Sequence, residues 1–334
     1  MRYVLLVLSF IVLMIVSFYF WASQALHCEK TYDKIERFSS DVVSPLPDTF
    51  AIMTYNIGYL SGMTNNLPVS RSEDLFTTRL NRSVALFKVL NPDIIVFQEI
   101  DFYSSRSYFV NQYRKLGKLG GYAFGAMAVN WDKQYVPFPY WPIHYHFGEI
   151  YSGQAVLSKA RIYSNRREVL PQPEANPFYY NSFYLERLAQ VAWVATTTDS
   201  LLLINVHLEA YDAATRELQA KIVLNVFKEY EQKYPIILMG DFNCNPYYDK
   251  IAYPEETMKI LLDEPYISSV IKKEEYIAKP KSFYTFSSRD PVDKIDFILY
   301  NNRFLQCEDA RVIHEAEDIS DHLPLMAKLV LKPR

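Results

Sequence analysis

ILMGDFNCNP, residues 237–246, is the stretch on which the fold turns. PIILM (235–239) has the length and apolar character of a strand, and Gly240-Asp241-Phe242-Asn243 comes directly after it. An acid after a strand is ordinarily a turn former or a helix cap, so this motif alone says little. Working outward, the same event recurs. AIMTY (51–55) ends in Asn56, DIIVF (93–97) in Gln98-Glu99, and LLLINV (201–206) in His207. KIDFILY (294–300) carries Asp296 inside its apolar run, and Asp321-His322 immediately precedes PLMAKLVL (324–331). Carboxylates, imidazoles and carboxamides placed at so many strand ends point to one shared rim. Burying that many charges together is unfavourable unless a cation neutralises them.

Two further runs, QAVLS (154–158) and AQVAWVAT (189–196), read as strands. Ser72–Leu90 and Asp212–Tyr230 have apolar residues at helical spacing; Asn91-Pro92 closes the first and Pro235 comes after the second. Several strands succeed one another without a helix between them, so the sheet cannot be all parallel. Mixed sheets covered by helices, an α/β or α+β layered sandwich, are the expectation. The stretch from Phe102 to Tyr151 is rich in Tyr, Phe, Pro and Trp and has no clean period. It is expected to be a long loop packed on the core or the wall of a substrate cleft.

The composition bounds the class. The chain has 334 residues, a net charge of −3, and 27 Tyr, 21 Phe and 4 Trp. Such an aromatic load excludes a disordered tail, a collagen-like chain, a coiled coil and a disulfide-stapled miniprotein. Length alone leaves one or two domains open. The absence of a basic excess removes the simplest argument for a nucleic-acid partner. Cys28, Cys244 and Cys307 allow one disulfide, for which Cys244 with Cys307 is a pairing left open, but buried free thiols are the default reading.

VLLVLSFIVLMIVSFYFW (4–21) has no charge and covers most of a bilayer core, with an aromatic belt at its end. Two readings stand: a single-pass membrane anchor, or a signal peptide cleaved after the small-x-small triplet Ser23-Gln24-Ala25. Residues 1–28 are thus a membrane anchor or signal segment, and 29–48 a polar linker. The anchored reading puts the remainder outside the cytoplasm, periplasmic or extracellular; cleavage would make it a secreted protein.

Ligand chemistry narrows the cation. Carboxylate and carboxamide oxygens favour Mg²⁺ or Mn²⁺, whereas zinc favours His and Cys clusters. The sequence has no HExxH, GxSxG, P-loop or GxGxxG motif and no CxxC pair.

These residues, in this order, resemble the endonuclease/exonuclease/phosphatase superfamily of metal-dependent phosphoesterases. The matching pieces are MTYNIG (53–58), IIVFQEI (94–100), SGQAVLSK (152–159), INVHLEA (204–210), ILMGDFNCNP (237–246), DKIDFILY (293–300) and SDHLPL (320–325). The resemblance implies a DNase I-like α+β fold, a four-layer α/β/β/α sandwich of two packed mixed sheets, with one catalytic domain over residues 49–334. It further implies that Glu99 binds Mg²⁺, that Asn56 shapes the metal site, and that Asp321 is a further metal-site carboxylate. Asp241 and Asn243 would position and activate the attacking water and the phosphate, and His207 would hydrogen-bond a phosphate oxygen. Asp296 would orient His322, whose imidazole an adjacent acid tends to keep protonated. Gln154 stands where many relatives carry Asn, so a substrate contact there is expected to be altered.

The expectation is a phosphoester hydrolase using an activated water. Its substrate is a phospholipid or another membrane-proximal phosphoester, with a nuclease acting on DNA or RNA as the alternative. A catalytically inactive, membrane-tethered binding module is the alternative from another class, and its mark would be erosion of the rim residues. All of them are present, and no protein partner is evident.

Overall fold

Each of the eight apolar runs lies in a strand of the computed structural model, which describes residues 1–249 and 256–333. The first sheet has seven strands. Their order is β1 (Ile35–Arg37), β4 (Phe124–Val136), β5 (Gly148–Ser158), β3 (Ile94–Asp101), β2 (Thr49–Asn56), β13 (Leu325–Leu331), β12 (Leu305–Val312). The second has six: β10 (Ile267–Ser269), β11 (Asp296–Asn301), β9 (Ile236–Asp241), β8 (Ser200–His207), β7 (Leu188–Ala195), β6 (Ile162–Val169). Among these pairings only β2–β3 and β8–β9 are parallel. Each parallel pair needs a crossover, and the two predicted helices supply them: α2 (Glu73–Leu90) and α5 (Ala213–Tyr230).

Both crossover helices start where the sequence places them. The Ser72 side chain accepts from Leu75 N–H at 3.2 Å, and Asp212 accepts from Thr215 N–H at 2.7 Å. These caps satisfy amides that a helix cannot pair internally. Asn91 ends α2 in the left-handed conformation. The remaining helices are α1 (Arg2–Ser23), α3 (Gln112–Gly120), α4 (Phe178–Asn181), α6 (Thr257–Leu262) and α7 (Lys273–Ala278).

The core matches the layers. In β8, Leu202, Ile204 and Val206 pack on Val223 and Phe227 of α5, while Leu201 and Leu203 face the other sheet. A strand covered on both faces has no reason to alternate polar and apolar residues, hence its LLLINV run, interrupted by the buried Asn205 alone. Helices α2 and α3 cover the first sheet and α5 and α6 the second, which makes the expected α+β sandwich of two mixed sheets.

Sequence reading missed β1, β6, β10 and β12, which are the four sheet edges, and the inner strand β4. An edge strand is half solvated, so IYSNRREV and LQCEDARV carry charges that blur any strand pattern. The stretch from Phe102 to Tyr151 is not one long loop. It contains α3 and all of β4, and β4 forms a long hairpin with β5. Residues 29–48, expected as linker, include β1, which pairs with β4. No disulfide joins the three cysteines; Cys244 is buried and Cys28 exposed.

Candidate active site

The rim residues arrive by strand register. Asn56 ends β2 and pairs with Gln98; His207 ends β8 and pairs with Asp241, the last residue of β9. β11 runs antiparallel to β9, so its first residue, Asp296, lies opposite Asp241. Gly58 has φ +49°, and a Cβ there would sit 2.9 Å from Asp321 Oδ1. Glycine is therefore required for the loop bearing Asp321 and His322 to close over the end of β2.

Two side chains reach the site through strained backbone. Glu99 and Asn243 both have φ +51°, in the left-handed region that non-glycine residues seldom occupy. Glu99 lies where the β3–β5 register shifts between Phe97 and Ile100, a bulge that re-aims a side chain at a strand end. Strain of this kind costs of order 1–3 kcal/mol per residue and gathers at functional sites.

The groups form one connected set. Asp296 Oδ2 lies 2.9 Å from His322 Nδ1. His322 Nε2 lies 3.8 Å from Asp241 Oδ2, too far for a direct hydrogen bond. The Asn56 amide donates to Asp241 Oδ2 at 2.9 Å and to Glu99 Oε1 at 3.2 Å. The Asn65 amide donates to Glu99 Oε2 and to Asp321 Oδ2, both at 3.2 Å. His207 Nε2 stands 3.6 Å from Asp241 and 3.9 Å from Glu99. Asn243 N–H donates to Asp241 Oδ1 at 2.9 Å.

Electrostatics separate the two imidazoles. Burial would lower the pKa of His322, but Asp296 and Asp241 outweigh it and raise the value to about 10. Burial and then the Arg187 cation hold His207 well below its ordinary value. One histidine is thus a cation near neutrality and its neighbour is neutral. Burial, with Asp296 adding to it, pushes the Asp241 carboxyl above the usual carboxylate range. Burial and then Glu99 do the same to Asp321.

Two sets of ligand atoms could hold a cation. Donor atoms of Asp241, Asp296 and His322 lie within 4.8 Å of one another, but His322 Nδ1 is already engaged with Asp296. Glu99 and Asp321 both line the cavity and share only the neutral Asn65 amide. A pair of oxygen ligands in surplus of negative charge fits a hard divalent ion better than an occupied imidazole does.

Eight of the nine residues singled out from the sequence meet here. Gln154 does not; it is fully buried and donates to the Asn205 carbonyl at 2.8 Å. Ser152, two residues earlier on the same face of β5, lines the cavity instead. Asn56 is present, but its oxygen accepts from Gly58 N–H at 3.1 Å, so it steadies Glu99 and Asp241 through its amide. Arg187 and Asn65 were missed. Arg187 precedes β7, which is antiparallel to β8, so the start of that strand comes to the rim beside His207. A charge two residues before AQVAWVAT was the available signal. Asn65 lies in a loop with no local pattern.

The site forms one end of a cavity of about 760 Å³ whose other walls are aromatic. Arg187, 3% exposed, stands over it with Glu209 Oε2 3.5 Å from its Nε.

Comparison with known proteins accords with this geometry. The profile of the endonuclease/exonuclease/phosphatase family matches residues 53–322. Comparison with curated protein sequences returned no match. The fold is similar to that of the endonuclease/exonuclease/phosphatase from Beutenbergia cavernae DSM 12333, at 18% identity and TM-score 0.63, over 85% of this chain and 72% of that one. It is also similar to the human Nocturnin catalytic domain with bound sulfate anion, at 16% identity and TM-score 0.59, over 92% and 100% of the two chains. D. rerio TDP2 complexed with single strand DNA product matches at 14% identity and TM-score 0.58, over 84% and 98%. At such identities these structures speak to the fold, and the sequence profile speaks to the family. The chain belongs to the endonuclease/exonuclease/phosphatase family, whose members are hydrolases acting on phosphoesters.

Proposed function

We propose that this protein hydrolyses a phosphoester carried at a membrane surface, using a water activated by Asp241. The observation that carries the reading is the join of two environments in one cavity. A buried Asp–His–Asp–Asn set with the half-buried Glu99 closes its inner end, and aromatic side chains with the apolar helix α1 make its outer walls.

His322, kept protonated by Asp296, can donate Nε2–H to a phosphate oxygen or to the departing alkoxide. His207, held neutral, can donate one hydrogen bond without adding charge. Asp241, whose carboxyl burial raises above the usual carboxylate range, can take a proton from water. Its Oδ1 is tied to Asn243 N–H and its Oδ2 to Asn56, which fixes the direction from which that water approaches. Such an arrangement favours in-line displacement, with the water on the Asp241 side and the leaving oxygen toward a donor. Mg²⁺ or Mn²⁺ held by Glu99 and Asp321 would supply positive charge to the phosphate oxygens. Arg187 Nη1 is buried without a hydrogen-bond partner and can serve an anionic ligand in the cavity.

Retention of α1, rather than cleavage after Ala25, is favoured by how the region is held. Ala22 is fully buried, Ser23 O accepts from Lys133 Nζ at 3.3 Å, and Gln24 O accepts from Gln134 N–H at 2.8 Å. A segment destined for removal has no need of these bonds. A nucleic acid is the second reading, since TDP2 was solved with a single strand DNA product and aromatic walls can stack bases. Against it, Arg106 is already paired with Asp101 at 2.8 Å, which leaves Arg187 Nη1 as a single cavity group for phosphates. Tight nucleic-acid binding draws on cations free to neutralise phosphates.

The test is a substrate panel for the full chain with Mg²⁺: bis-p-nitrophenyl phosphate, vesicle-borne sphingomyelin, phosphoinositides, RNA and plasmid DNA. Metal-dependent release from vesicles exceeding that from DNA is expected. Faster cleavage of DNA or RNA favours the nuclease, and hydrolysis of none of them favours a binding module.

A further inference from the structure

The cavity continues past the catalytic groups to the membrane-length helix. Ile15, Phe18 and Tyr19 of α1 form part of its wall, facing Phe138, Tyr179 and Phe183. α1 has 22 residues, about 33 Å at 1.5 Å per residue, enough for a hydrocarbon core of about 30 Å. It is also the one described helix long and apolar enough to cross a membrane.

The end of this helix is clamped. Tyr19 Oη and Ser182 Oγ are 2.5 Å apart, and the Tyr19 ring meets Phe183 edge to face at 5.7 Å. Phe18 packs on Tyr135 with centroids 5.8 Å apart. The chain beyond is tied down too, with Leu26 and His27 N–H on the Asp132 carboxylate at 3.0 and 2.8 Å. No free stalk separates helix from catalytic domain, so the helix axis sets how the domain sits on a bilayer.

Around that junction the surface is apolar where a soluble protein would bury it. Trp141 and Phe178 are each 75% exposed, Tyr140 is 65% and Ile143 60%. Phe178 meets Tyr19 at 6.2 Å between centroids and Tyr140 lines the same cavity as Phe18, so this patch adjoins the helix's own aromatic end. Aromatic side chains cluster at the headgroup level of bilayers because one part of the ring prefers lipid and another prefers water. Ile15 lies about 6 Å deeper along the helix than Tyr19, yet still lines the cavity.

We propose that the catalytic domain lies directly on the bilayer, with its aromatic face sunk in the interfacial layer. The cavity then opens sideways along α1, admitting a phosphoester whose apolar portion stays in the membrane. This rests, for the substrate, on the phosphoesterase reading above; the docking surface itself does not. The occupant of the patch is the lipid interface, because the patch adjoins a helix end that reaches the same depth.

The experiment uses the full chain carrying Trp21→Phe in phosphatidylcholine vesicles. Of the remaining tryptophans, Trp131 is 8% exposed and Trp193 is packed between Tyr230 and Tyr234, so Trp141 dominates any contact with a quencher. Lipid brominated near the glycerol end of its acyl chains should quench Trp141 while aqueous iodide does not, and Trp141→Phe should remove the effect. Quenching by iodide alone would mean that the domain stands clear of the membrane, and quenching by neither would mean that a second copy covers the patch. Either result overturns the proposal.

Activity supplies a second reading. In Trp141→Asp/Ile143→Asp, residues outside the cavity wall, hydrolysis of a vesicle-borne phosphoester should fall about tenfold, equivalent to about 1.4 kcal/mol. Hydrolysis of soluble bis-p-nitrophenyl phosphate should stay unchanged, and an equal loss on both substrates would count against docking. If the unmodified chain cleaves nothing, the functional reading fails while quenching still decides the surface.

Discussion

At the inner end of the cavity, Asp296–His322, Asp241–Asn56 and Asn56–Glu99 are joined by hydrogen bonds of 2.9–3.2 Å, and His322 faces Asp241 at 3.8 Å. At the outer end, Phe18, Tyr19, Tyr135 and Phe183 meet as rings with centroids 5.7–5.8 Å apart. The inner end is positioned by strand termini and two residues with left-handed backbone, so a small displacement breaks it. The outer end is a packing surface of aromatic rings, held by non-directional contacts. A hydrogen-bonded polar cluster and an aromatic packing surface thus share one cavity because a sheet rim abuts the apolar helix α1.

The contrast predicts rate losses at one end and packing or partition losses at the other. His322→Ala should lower the turnover of bis-p-nitrophenyl phosphate about a thousandfold, since it removes a preorganised cationic donor. Circular dichroism should be unchanged, and near-normal turnover would remove His322 from the chemistry. Arg187→Ala should cost about 3–5 kcal/mol in urea unfolding, because it strands the buried Glu209 carboxylate. A loss below about 1 kcal/mol, the scale of an exposed pair, would make the pair energetically idle.

Glu99→Gln should lower Mg²⁺-dependent turnover about a hundredfold and raise the Mg²⁺ concentration needed for half the maximal rate, by deleting one anionic ligand. An unaltered Mg²⁺ titration would place the ion elsewhere, with Asp241, Asp296 and His322 the next set to test.

The His322–Asp296 pair makes a signed prediction for pH. The imidazole is raised in the folded state to about 10 from an ordinary 6.5, so its stabilisation is complete below pH 6.5 and is lost as pH rises toward 10. Urea midpoints should therefore fall across that window, and Asp296→Asn should flatten the slope. A midpoint rising from pH 7 to 9 would contradict the assignment. Smallest in effect is Ser182→Ala at the outer end. It removes the bond to Tyr19 and should cost about 1 kcal/mol. Its turnover of soluble substrate should match the unaltered chain, and a large rate loss would mean that the two ends are mechanically coupled.

Legibility tracked burial. Strands covered on both faces, such as LLLINV, announce themselves as apolar runs, whereas the edge strands β1, β6 and β12 carry charges and β10 is only three residues long. The rim is legible in the polar residues next after each apolar run. These include Asn56, Glu99, His207 and Asp241 because β2, β3, β8 and β9 all end at the same side of the sandwich. Arg187 escapes this rule, since an antiparallel strand brings its start, not its end, to that side. Gln154 was assigned by likeness of motif, but period-two alternation puts it on the cavity's face one step too deep, where it serves Asn205.

Local pattern determined the strand runs, the two capped crossover helices, the membrane-length segment and the identity of the polar residues at the rim. These depend on neighbours within a few positions, which is all that periodicity and turn chemistry report. Tertiary structure decided which imidazole holds a proton, that Asn56 turns its amide rather than its oxygen toward the carboxylates, and that α1 becomes a wall of the cavity. Those outcomes depend on charges and surfaces brought together from as much as 265 positions apart, as Asp321 is to Asn56, and only the closed fold sets those distances.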